Sequence, residues 1–479
     1  MPESTNNYQL TAISSIDGRY RDATAALAEY FSEFALIRAR IFVECKYLIA
    51  LSGPANVGMR SLTAAEGKTL ENLWRITVDD ARVVKQIERE GYEGIPATNH
   101  DGKAVEYFLK RKLAKTSLVD LSEWVHFAIT SEDTDNIAYA TLLGDAIEGA
   151  ILPALEEIRE ALDALAIGHA DTPMLARTHG QSASPTTFGK EIRVFEARVK
   201  RQIKELAAWT ILVKFSGATG NWSAHVAAVP AVDWREFSKK FVEGFNVSPK
   251  TAQKKSTGVI RLELNDATTQ VEPHDTYAEL FDNLRRVNVI LMDLSQDIWR
   301  YISDGWLTQK AKKGEVGSST MPHKVNPIDF ENAEGNFGVA NSLFTYYSQK
   351  LPISRLQRDL SDSTVKRTFG TAFAHTLIAC KALTRGLGKI NVNVEAMREA
   401  LDEHPEVIAE ALQTILRSEG VDVPYEQLKE LTRGRKVSLD DFAEFIDRLK
   451  VDDKTKKRLK SIRPENYIGL AEKIARKAS

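Results

Sequence analysis

The sequence contains little cysteine: only Cys45 and Cys380 occur among 479 residues. Two cysteines exclude a fold held together by several disulfides, and their wide separation excludes a C-x-x-C metal or redox motif. We therefore expect two buried structural thiols and a reducing compartment, the cytoplasm.

A strong net charge and a long apolar run are also missing. The formal net charge is −2, with 64 lysines and arginines against 66 acidic residues, so the overall charge recruits neither nucleic acid nor a membrane. No uninterrupted apolar stretch of ~18 residues occurs, and the N-terminus has no basic segment followed by an apolar one. We expect no nucleic-acid partner and no membrane association.

Motifs for metals and common cofactors are absent as well. The nine histidines are dispersed, and the sequence has neither an H-x-x-x-H pair nor a G-x-G-x-x-G turn. The lysine of residues 314–327 follows Pro-His instead of the glycine of a Walker motif. We predict no metal and no cofactor.

What the sequence does contain is long helical periodicity. Apolar residues recur three and four positions apart in three runs, at residues 155–165, 192–206 and 284–302. Runs of this length predict long helices packed nearly parallel in a bundle, and they exceed what one small domain buries, so we expect helices shared between subunits.

The length of the chain predicts more than one domain. We expect an all-α, three-domain protein. Residues 1–119 mix short helices with loops, residues 120–388 form the bundle of long helices, and residues 389–479 form short, charge-rich helices.

Local patterns predict several helix boundaries. Asp101 suits the N-cap of a helix in which Val105 and Phe108 follow helical spacing. Residues 130–133 combine hydroxyls with acids, which is typical of a helix start. Residues 177–185 are expected between two helices, with Pro185 in the first turn of the second.

One segment favours β-structure. Residues 259–264 alternate apolar and polar side chains, which predicts a short strand, either alone or in a small hairpin.

Residues 314–327 concentrate chemically useful groups. Gly314 and Gly317 let the backbone bend, and their amides and those of the neighbouring serines suit negative charge. Lys324 supplies a positive charge, and Asn326 donates hydrogen bonds to carboxylates. The alternative interpretation is an ordinary surface loop rich in glycine and proline.

The order of residues favours the first interpretation. Residues 317–327 resemble the G-S-S-x-M-P-x-K-x-N-P signature of the fumarase/aspartase superfamily, whose members eliminate fumarate from succinyl compounds. His323 and Gly180 resemble the adenylosuccinate lyase family: fumarases usually have Gly at the first position, argininosuccinate lyases have Gln there, and both usually have Leu at the second. Further matching stretches follow in the expected order, at residues 17–20, 98–101, 130–133, 178–181 and 269–275.

This resemblance covers almost the whole chain and implies a fold and an activity. The fold is the three-domain fumarase/aspartase-like fold, with a central long-helix bundle that forms the core of a homotetramer. Each active site is built from three subunits. The activity is that of a carbon–nitrogen lyase of purine nucleotide biosynthesis, which cleaves adenylosuccinate to AMP and fumarate. It also releases fumarate from succinylaminoimidazole carboxamide ribotide, giving aminoimidazole carboxamide ribotide.

Such an elimination needs a base, donors that hold a carbanion beside a carboxylate, and an acid for the departing nitrogen. His179 suits the acid because an imidazolium titrates near neutral pH. On pKa alone a second histidine would be the base. The resemblance instead assigns the base to Ser318, with Ser319 as a neighbouring rival.

The resemblance also implies the residues that bind the substrate. Phosphate and ribose contacts are implied for Arg19, Tyr20, Arg358, Ser363, Thr364 and Arg367. Asn99, His100 and Asp101 are implied to bind near the phosphate and the catalytic acid. The succinyl carboxylates are assigned to Thr130, Ser131, Lys324 and Asn326, and the purine or succinyl end to Gln270. Gln270 follows residues 246–265, which are longer than in the family pattern, so its placement stays open.

Other interpretations remain for these residues. Residues 17–20 also fit a surface turn, His100 a helix cap without catalysis, and the cations of residues 354–367 a solvated helix face. For the whole chain, the alternatives are another superfamily lyase, such as argininosuccinate lyase, or a helical scaffold without turnover.

Overall fold

The computed structural model describes residues 8–53, 57–246, 260–310, 321, 324–422, 424–432 and 437–477, with only the backbone for residues 424, 427, 431 and 432. All statements about the structure refer to these residues. Ser318, Ser319 and His323 lie outside them, as does most of the 246–265 stretch.

The described part of the chain is mostly helical. The helices of its first half are α1 Arg21–Thr24, α2 Ala28–Phe31, α3 Glu33–Leu51, α4 Ala64–Leu73, α5 Val78–Arg89, α6 Asp101–Leu113, α7 Ser131–Ala146, α8 Leu152–Gly168, α9 Phe188–Ala207, α10 Ser223–Ala228 and α11 Trp234–Glu243. Those of the second half are α12 Asp275–Ser303, α13 Ile328–Lys350, α14 Ser361–Lys366, α15 Phe369–Leu387, α16 Val394–Asp402, α17 Ala409–Ser418, α18 Pro424–Thr432, α19 Leu439–Arg448, α20 Asp453–Lys460 and α21 Ala471–Arg476.

Shorter elements connect these helices. A π-helical turn, Ile147–Ile151, joins α7 to α8, and 3-10 turns occur at Ala25–Leu27, Val119–Trp124, Pro405–Ile408 and Pro464–Asn466. Six short strands are present: β1 Pro173–Thr178, β2 Gln181–Thr187, β3 Thr210–Val213, β4 Arg261–Leu264, β5 Leu307–Gln309 and β6 Ile390–Val392. They form three two-stranded sheets, so the fold is mostly helical rather than purely α.

The chain separates into two compact units. The first contains Met1–Leu155, Gln202–Val289 and Gly335–Lys381, and the second contains Glu156–Arg201, Ile290–Glu334 and Ala382–Ser479. The hypothesis of three domains with boundaries near residues 119 and 388 stays a prediction.

The three apolar stripes are confirmed as long helices. They fall in α8, α9 and α12, of which α12 has 29 residues. Most of the stripe side chains are buried: Leu155, Ile158, Leu162, Ile192, Phe195, Val199, Ile203, Leu206, Leu284, Val287, Leu291, Leu294 and Ile298. Their burial explains why helical spacing alone located these helices.

Three local predictions were wrong or incomplete. Residues 177–185 lie in an antiparallel hairpin of β1 and β2, and Pro185 is in β2 rather than in the first turn of α9. The predicted strand near residue 260 exists as β4, but it pairs in parallel with β3 instead of forming a local hairpin. The N-terminal region is also not made only of short helices, since α3 has 19 residues.

The expectations for the cysteines and for long apolar segments have different outcomes. Cys45 and Cys380 are both buried free thiols, as expected. One continuous helical stretch, Ser131–Gly168, is long and apolar enough by composition to cross a membrane, although half of its apolar 18-residue segment is buried within the chain. Burial of this kind is what the core helix of a folded domain also shows.

Aromatic packing fills the core of the first unit. Phe281 of α12 lies between rings of three other side chains, with centroid distances of 5.7 Å to Phe344, 5.3 Å to Tyr347 and 5.0 Å to Phe369. All four side chains are buried. In the second unit, a separate apolar core joins α17 to α20, with Leu412, Leu416, Leu428, Phe442, Ile446 and Leu459 among its members.

The aromatic core makes a stability prediction. Phe281→Ala should lower the free energy of unfolding by about 3–5 kcal/mol, because it removes buried apolar area and leaves a cavity. Urea denaturation at one fixed protein concentration measures the change. Val78→Ala is the control, because Val78 is 57% exposed and should change the value by less than about 0.5 kcal/mol. Equal effects of the two substitutions would contradict this account of the core.

Candidate active site

The start of α6 brings a carboxylate against two arginines in the first unit. His100, not Asp101 as predicted, is the N-cap: its Nδ1 accepts a hydrogen bond from the Lys103 amide at 3.2 Å. Asp101 is the first residue of the helix. Its Oδ2 accepts from Arg40 and from Arg367, each at 2.9 Å. The predicted helix is therefore correct, with the cap displaced by one residue.

Arg40 ties α3 to both α6 and α7. Besides Asp101, it contacts Asp135 of α7 through Nε at 2.6 Å. Burial would lower the pKa of Arg40, but Asp135 and Asp101 outweigh burial and raise it. Burial would likewise raise the pKa of Asp101, but Arg40 and Arg367 help to lower it to about 2. We call Arg40, Asp101, Asp135, Ser363 and Arg367 the Asp101 cluster.

The start of α7 places Ser131 beside α6. A side-chain carbon added to Gly102 would lie only 3.2 Å from Ser131 Oγ, so the two helix starts are in close contact. The prediction of a helix start at residues 130–133 is confirmed. The Thr130 amide donates to Asp133 Oδ2 at 2.8 Å, which satisfies an amide that the helix itself leaves unpaired.

A second group of charged side chains surrounds Glu132, which follows Ser131 in α7. Glu132 of α7 is completely buried and faces Lys366 Nζ at 3.1 Å and Arg358 at 3.3 Å. Lys366 also contacts Asp362 at 2.8 Å. Arg358 donates to Gln270 Oε1 at 3.2 Å. We call Glu132, Arg358, Asp362, Lys366 and the adjacent His274 the Glu132 cluster.

Residues 361–367 join the two clusters. α14 carries Asp362 and Lys366, and Arg367, which follows α14, hydrogen-bonds both Ser363 and Asp101. The alternative of a solvated helix face is wrong for Lys366, which is only 3% exposed. It holds in part for Thr364 and Arg367, which are exposed.

His179 occupies the tip of the β1–β2 hairpin in the second unit. Thr178 pairs with Gln181, so His179 and Gly180 alone form the turn, with φ angles of 54° and 74°. Two consecutive positive φ values are typical of the tight turns that match strand twist, and the second is easily adopted by glycine. The His179 side chain is exposed within this chain.

The part of the signature stretch that the structure describes lies before α13. Lys324 is exposed and Asn326 is half-buried. Val325 anchors the segment, because its carbonyl accepts a hydrogen bond from Gln309 of β5 at 3.2 Å. This anchoring fixes the end of the stretch at α13.

Contacts in the first unit thus connect Asp101, Ser131, Gln270, Arg358, Ser363 and Arg367. Arg19 and Tyr20 lie in the turn before α1, where Arg19 is exposed and Tyr20 is half-buried. Among the described residues, the side chains of Arg19, Asn99 and Thr364 make no hydrogen bond to either cluster. Their predicted role in binding stays a prediction.

Sequence reasoning missed several buried charges. Arg40 and Glu44 lie at helical spacing among the buried apolar residues of α3, which was an available signal. Glu44 accepts from the amide of His126 at 3.1 Å and contacts its Nδ1 at 2.6 Å, and Glu44 helps to raise the pKa of His126 against the effect of burial. His126, Ser131 and Gly102 border one small cleft. Lys214 is also buried and pairs with Asp133 at 2.5 Å.

One group among the described residues has the composition of a metal site. Ligand-type atoms of Glu132, His274 and Asp362 lie within 4.8 Å of one another, and all three side chains are buried. The ammonium of Lys366 contacts both carboxylates. An additional divalent cation would be repelled by Lys366 and by Arg358, so the residues present do not favour a metal here.

Comparisons with known proteins agree with this arrangement of motifs. The family model described as "Lyase" matches residues 18–341, and the model described as "Adenylosuccinate lyase C-terminal" matches residues 354–468. The chain is 45% identical to the adenylosuccinate lyase of Vibrio cholerae, with 96% of this chain and 97% of that protein covered. The chain belongs to the adenylosuccinate lyase family.

Other members and more distant structures extend the comparison. The adenylosuccinate lyase of Dictyostelium discoideum is 46% identical, with 98% of this chain and 99% of that protein covered. The structure of 3-carboxy-cis,cis-muconate lactonizing enzyme from Pseudomonas putida is 18% identical with a TM-score of 0.69, covering 94% of this chain and 95% of that one. Fumarate lyase from Mesorhizobium is also 18% identical, with a TM-score of 0.70 and coverage of 94% and 96%. These two structures share the fold.

The low pKa of Asp101 predicts a pH-dependent stability. Its folded value of about 2 lies below the ordinary value of about 3.9. The ionised Asp101 therefore contributes stability above pH ~4, and this contribution is lost as the pH falls through ~2. Asp101→Asn should lower the free energy of unfolding by about 1–3 kcal/mol at pH 7, because Arg40 loses a charged partner.

Urea denaturation at pH 7 and at pH 3 measures this difference, which should be smaller at pH 3. Asp79→Asn is the control, since the Asp79 side chain is 84% exposed in its pair with Arg82. A difference for Asp101→Asn that is the same at both pH values would show that its ionisation does not stabilise the fold.

Proposed function

We propose that the protein cleaves adenylosuccinate to AMP and fumarate. We propose the same elimination for succinylaminoimidazole carboxamide ribotide, which gives aminoimidazole carboxamide ribotide and fumarate in purine nucleotide biosynthesis. Family membership over nearly the whole length supports this carbon–nitrogen lyase activity. The two buried free thiols support a reducing compartment such as the cytoplasm.

One structural observation carries the proposal. Residues from four separated segments that match the family pattern come together in the first unit: Asp101, Ser131, Gln270, and Arg358 with Ser363 and Arg367. They present guanidinium, hydroxyl and amide donors. The substrate carries a phosphate and two carboxylates, which such donors bind through charge-assisted hydrogen bonds.

In the proposed reaction, Ser318 acts as the base and removes a proton from the succinyl carbon beside a carboxylate. The electron pair of that C–H bond forms the new C=C bond of fumarate as the C–N bond breaks. His179 gives a proton to the departing nitrogen, so AMP leaves as a neutral amine at that atom. Lys324 and Asn326, with Thr130 and Ser131, hold the succinyl carboxylates and stabilise the developing carbanion.

The other predicted residues bind the nucleotide end. We assign phosphate and ribose contacts to Arg358, Ser363, Thr364 and Arg367, together with Arg19 and Tyr20. Gln270 contacts the purine or succinyl end. Its contact with Arg358 supports a place in the same binding region.

We also propose a homotetramer with each active site shared between three subunits. Two observations support it. His179 is exposed at a hairpin tip within one chain, so a neighbouring chain has access to it. The long helices expose large apolar side chains, with Val289 44%, Val339 45% and Tyr346 50% exposed, and such surfaces are typical of subunit interfaces.

The activity has a direct test. Purified protein should convert adenylosuccinate to AMP, seen as a change in the ultraviolet spectrum, with fumarate measured separately. Lys324→Ala should lower kcat/KM at least about 100-fold, because it removes a charge that stabilises the carbanion. Lys68→Ala, which removes an exposed lysine of α4, should leave kcat/KM unchanged.

Other outcomes would overturn the assignment. Turnover of argininosuccinate but not of adenylosuccinate would indicate a different lyase of the superfamily. No turnover of either by folded protein would favour a scaffold. Near-normal activity of Lys324→Ala would remove Lys324 from the proposed mechanism.

Shared sites predict complementation between inactive variants. His179→Ala and Ser318→Ala proteins should each be inactive, and mixtures unfolded and reassembled together should regain part of the activity, because some sites then receive both intact residues. Each variant reassembled alone is the control. Mass spectrometry of the intact assemblies establishes whether mixed tetramers form. Mixed tetramers without recovered activity would contradict the shared site.

A further inference from the structure

Three buried charges of the Glu132 cluster, Glu132, Asp362 and Lys366, have no role in the proposed reaction. Glu132 is 0% exposed, Lys366 3% and Asp362 5%. Lys366 Nζ lies 3.1 Å from Glu132 Oε1 and 2.8 Å from Asp362 Oδ2, and Arg358 lies 3.3 Å from Glu132 Oε2. Glu132 Oε1 therefore accepts a hydrogen bond from Lys366, whereas Glu132 Oε2 forms an ion pair with Arg358 without a hydrogen bond.

The charges of this cluster balance. Burial, together with Lys366 and Arg358, lowers the pKa of His274 to about 3, so His274 is neutral at pH 7. Burial raises the pKa of Glu132, and Lys366 and Arg358 oppose this effect. In their ionised forms, Glu132 and Asp362 supply two negative charges against the positive charges of Lys366 and Arg358. Burial would lower the pKa of Lys366, but Glu132 and Asp362 raise it. Lys366 thus serves as the resident cation between the two carboxylates.

The cluster reaches the binding region through Arg358. Arg358 lies in the loop before α14 and is held on one side by Glu132. On another side it donates to Gln270 Oε1, and Gln270 Nε2 donates to the carbonyl of Ala218 at 2.9 Å. The Gln270 amide also donates to the carbonyl of Gln357 at 3.2 Å. The side chain of Gln270 is therefore held between the Ala218 carbonyl and Arg358.

We propose that Glu132 is a positioning residue, which orients the guanidinium of Arg358 for binding the nucleotide end of the substrate and, through Arg358, also orients the amide of Gln270. The inference rests on the proposed function. Glu132 itself is completely buried and does not touch the substrate, so it acts through Arg358. A guanidinium has five N–H donors in a rigid plane, so contacts with Glu132 and Gln270 fix the direction of the donors that remain.

Replacing Glu132 by glutamine keeps its size and removes its charge. The amide then offers one oxygen acceptor where the carboxylate had an oxygen for each cation, so Arg358 loses its fixed orientation. Glu132→Gln should raise the KM for adenylosuccinate and the inhibition constant of AMP by about tenfold or more, because Arg358 loses the ionic partner that orients it. The value of kcat should change by less than about threefold, because the reacting bond lies at the other end of the substrate.

AMP inhibition separates positioning from general damage. AMP carries the nucleotide end alone, so its inhibition constant should rise together with KM, whereas inhibition by fumarate should not change. Glu196→Gln is the matched control: Glu196 is 1% exposed and also bridges two cations, Arg193 at 2.9 Å and Arg159 at 3.5 Å. Those arginines are not predicted site residues. This variant should lose stability without a change in AMP inhibition.

A double-mutant cycle tests whether Glu132 acts through Arg358. If it does, Glu132→Gln should weaken AMP inhibition no further in a protein that already carries Arg358→Gln. If each substitution instead raises the AMP inhibition constant by its own factor and the two factors multiply in the double variant, the proposal is overturned. An unchanged AMP inhibition constant in folded Glu132→Gln would also overturn it.

A second variant keeps the test decisive if Glu132→Gln does not fold. Arg358→Lys retains the positive charge but cannot contact Glu132 and Gln270 as a planar fork. The AMP inhibition constant of Arg358→Lys should rise about as much as that expected for Glu132→Gln. An inhibition constant equal to that of the wild-type protein would contradict the proposal. Absence of adenylosuccinate turnover by the wild-type protein would count against the proposed function, whereas active wild type with unaffected variants counts against this inference alone.

Discussion

Two consecutive carboxylates are completely buried at the start of α7, and each is paired with a buried lysine: Glu132 with Lys366 and Asp133 with Lys214. Moving a charge out of water costs several kcal/mol per ion, and removing one partner of a buried pair typically costs about 3–5 kcal/mol. The segments that carry the two lysines therefore cannot move away from α7 without a large loss of stability. Because Lys214 follows β3 and Lys366 ends α14, this constraint fixes two distant parts of the chain against the helix start that carries Ser131.

The carboxylates of the two pairs contact different kinds of groups. Asp133 accepts hydrogen bonds from the backbone amides of Ser216 and Gly217 as well as from Lys214, so it fixes the path of the main chain. Glu132 instead faces two side chains, Lys366 and Arg358. The main chain held by Asp133 is fixed by the fold, whereas a long side chain such as that of Arg358 can rotate. The direction of Arg358 therefore depends on the charge of Glu132 more than on the fold. Asp133 thus holds the fold alone, whereas Glu132 both holds Lys366 of α14 and orients Arg358.

Much of this could be predicted from the sequence, and the failures have physical causes. Apolar stripes located α8, α9 and α12, because their periodicity records which face is buried. The β1–β2 hairpin was missed because its turn uses His179 and Gly180 instead of the usual Asn-Gly pair. Parallel pairing of β3 with β4 depends on segments far apart in sequence. Lys366 was read as part of a charged surface because its partner, Glu132, is more than two hundred positions away. Motif order predicts the site residues, which stay a prediction, and spacing alone does not show which cations are buried.

Charge balance also limits how this chain binds a substrate with several negative charges. In the Asp101 cluster, Arg40 and Arg367 face Asp101 and Asp135, and in the Glu132 cluster, Lys366 and Arg358 face Glu132 and Asp362. Each cluster is close to neutral, so bulk positive charge does not supply the attraction, in keeping with a net charge of −2. Affinity must then come from directed N–H donors whose orientation is set before the ligand arrives. The carboxylates that hold the arginines in place reduce the Coulomb attraction of the site for an anion. They also make the site more selective. Only a ligand whose oxygens lie along the directions of the N–H donors forms hydrogen bonds that replace those it made with water.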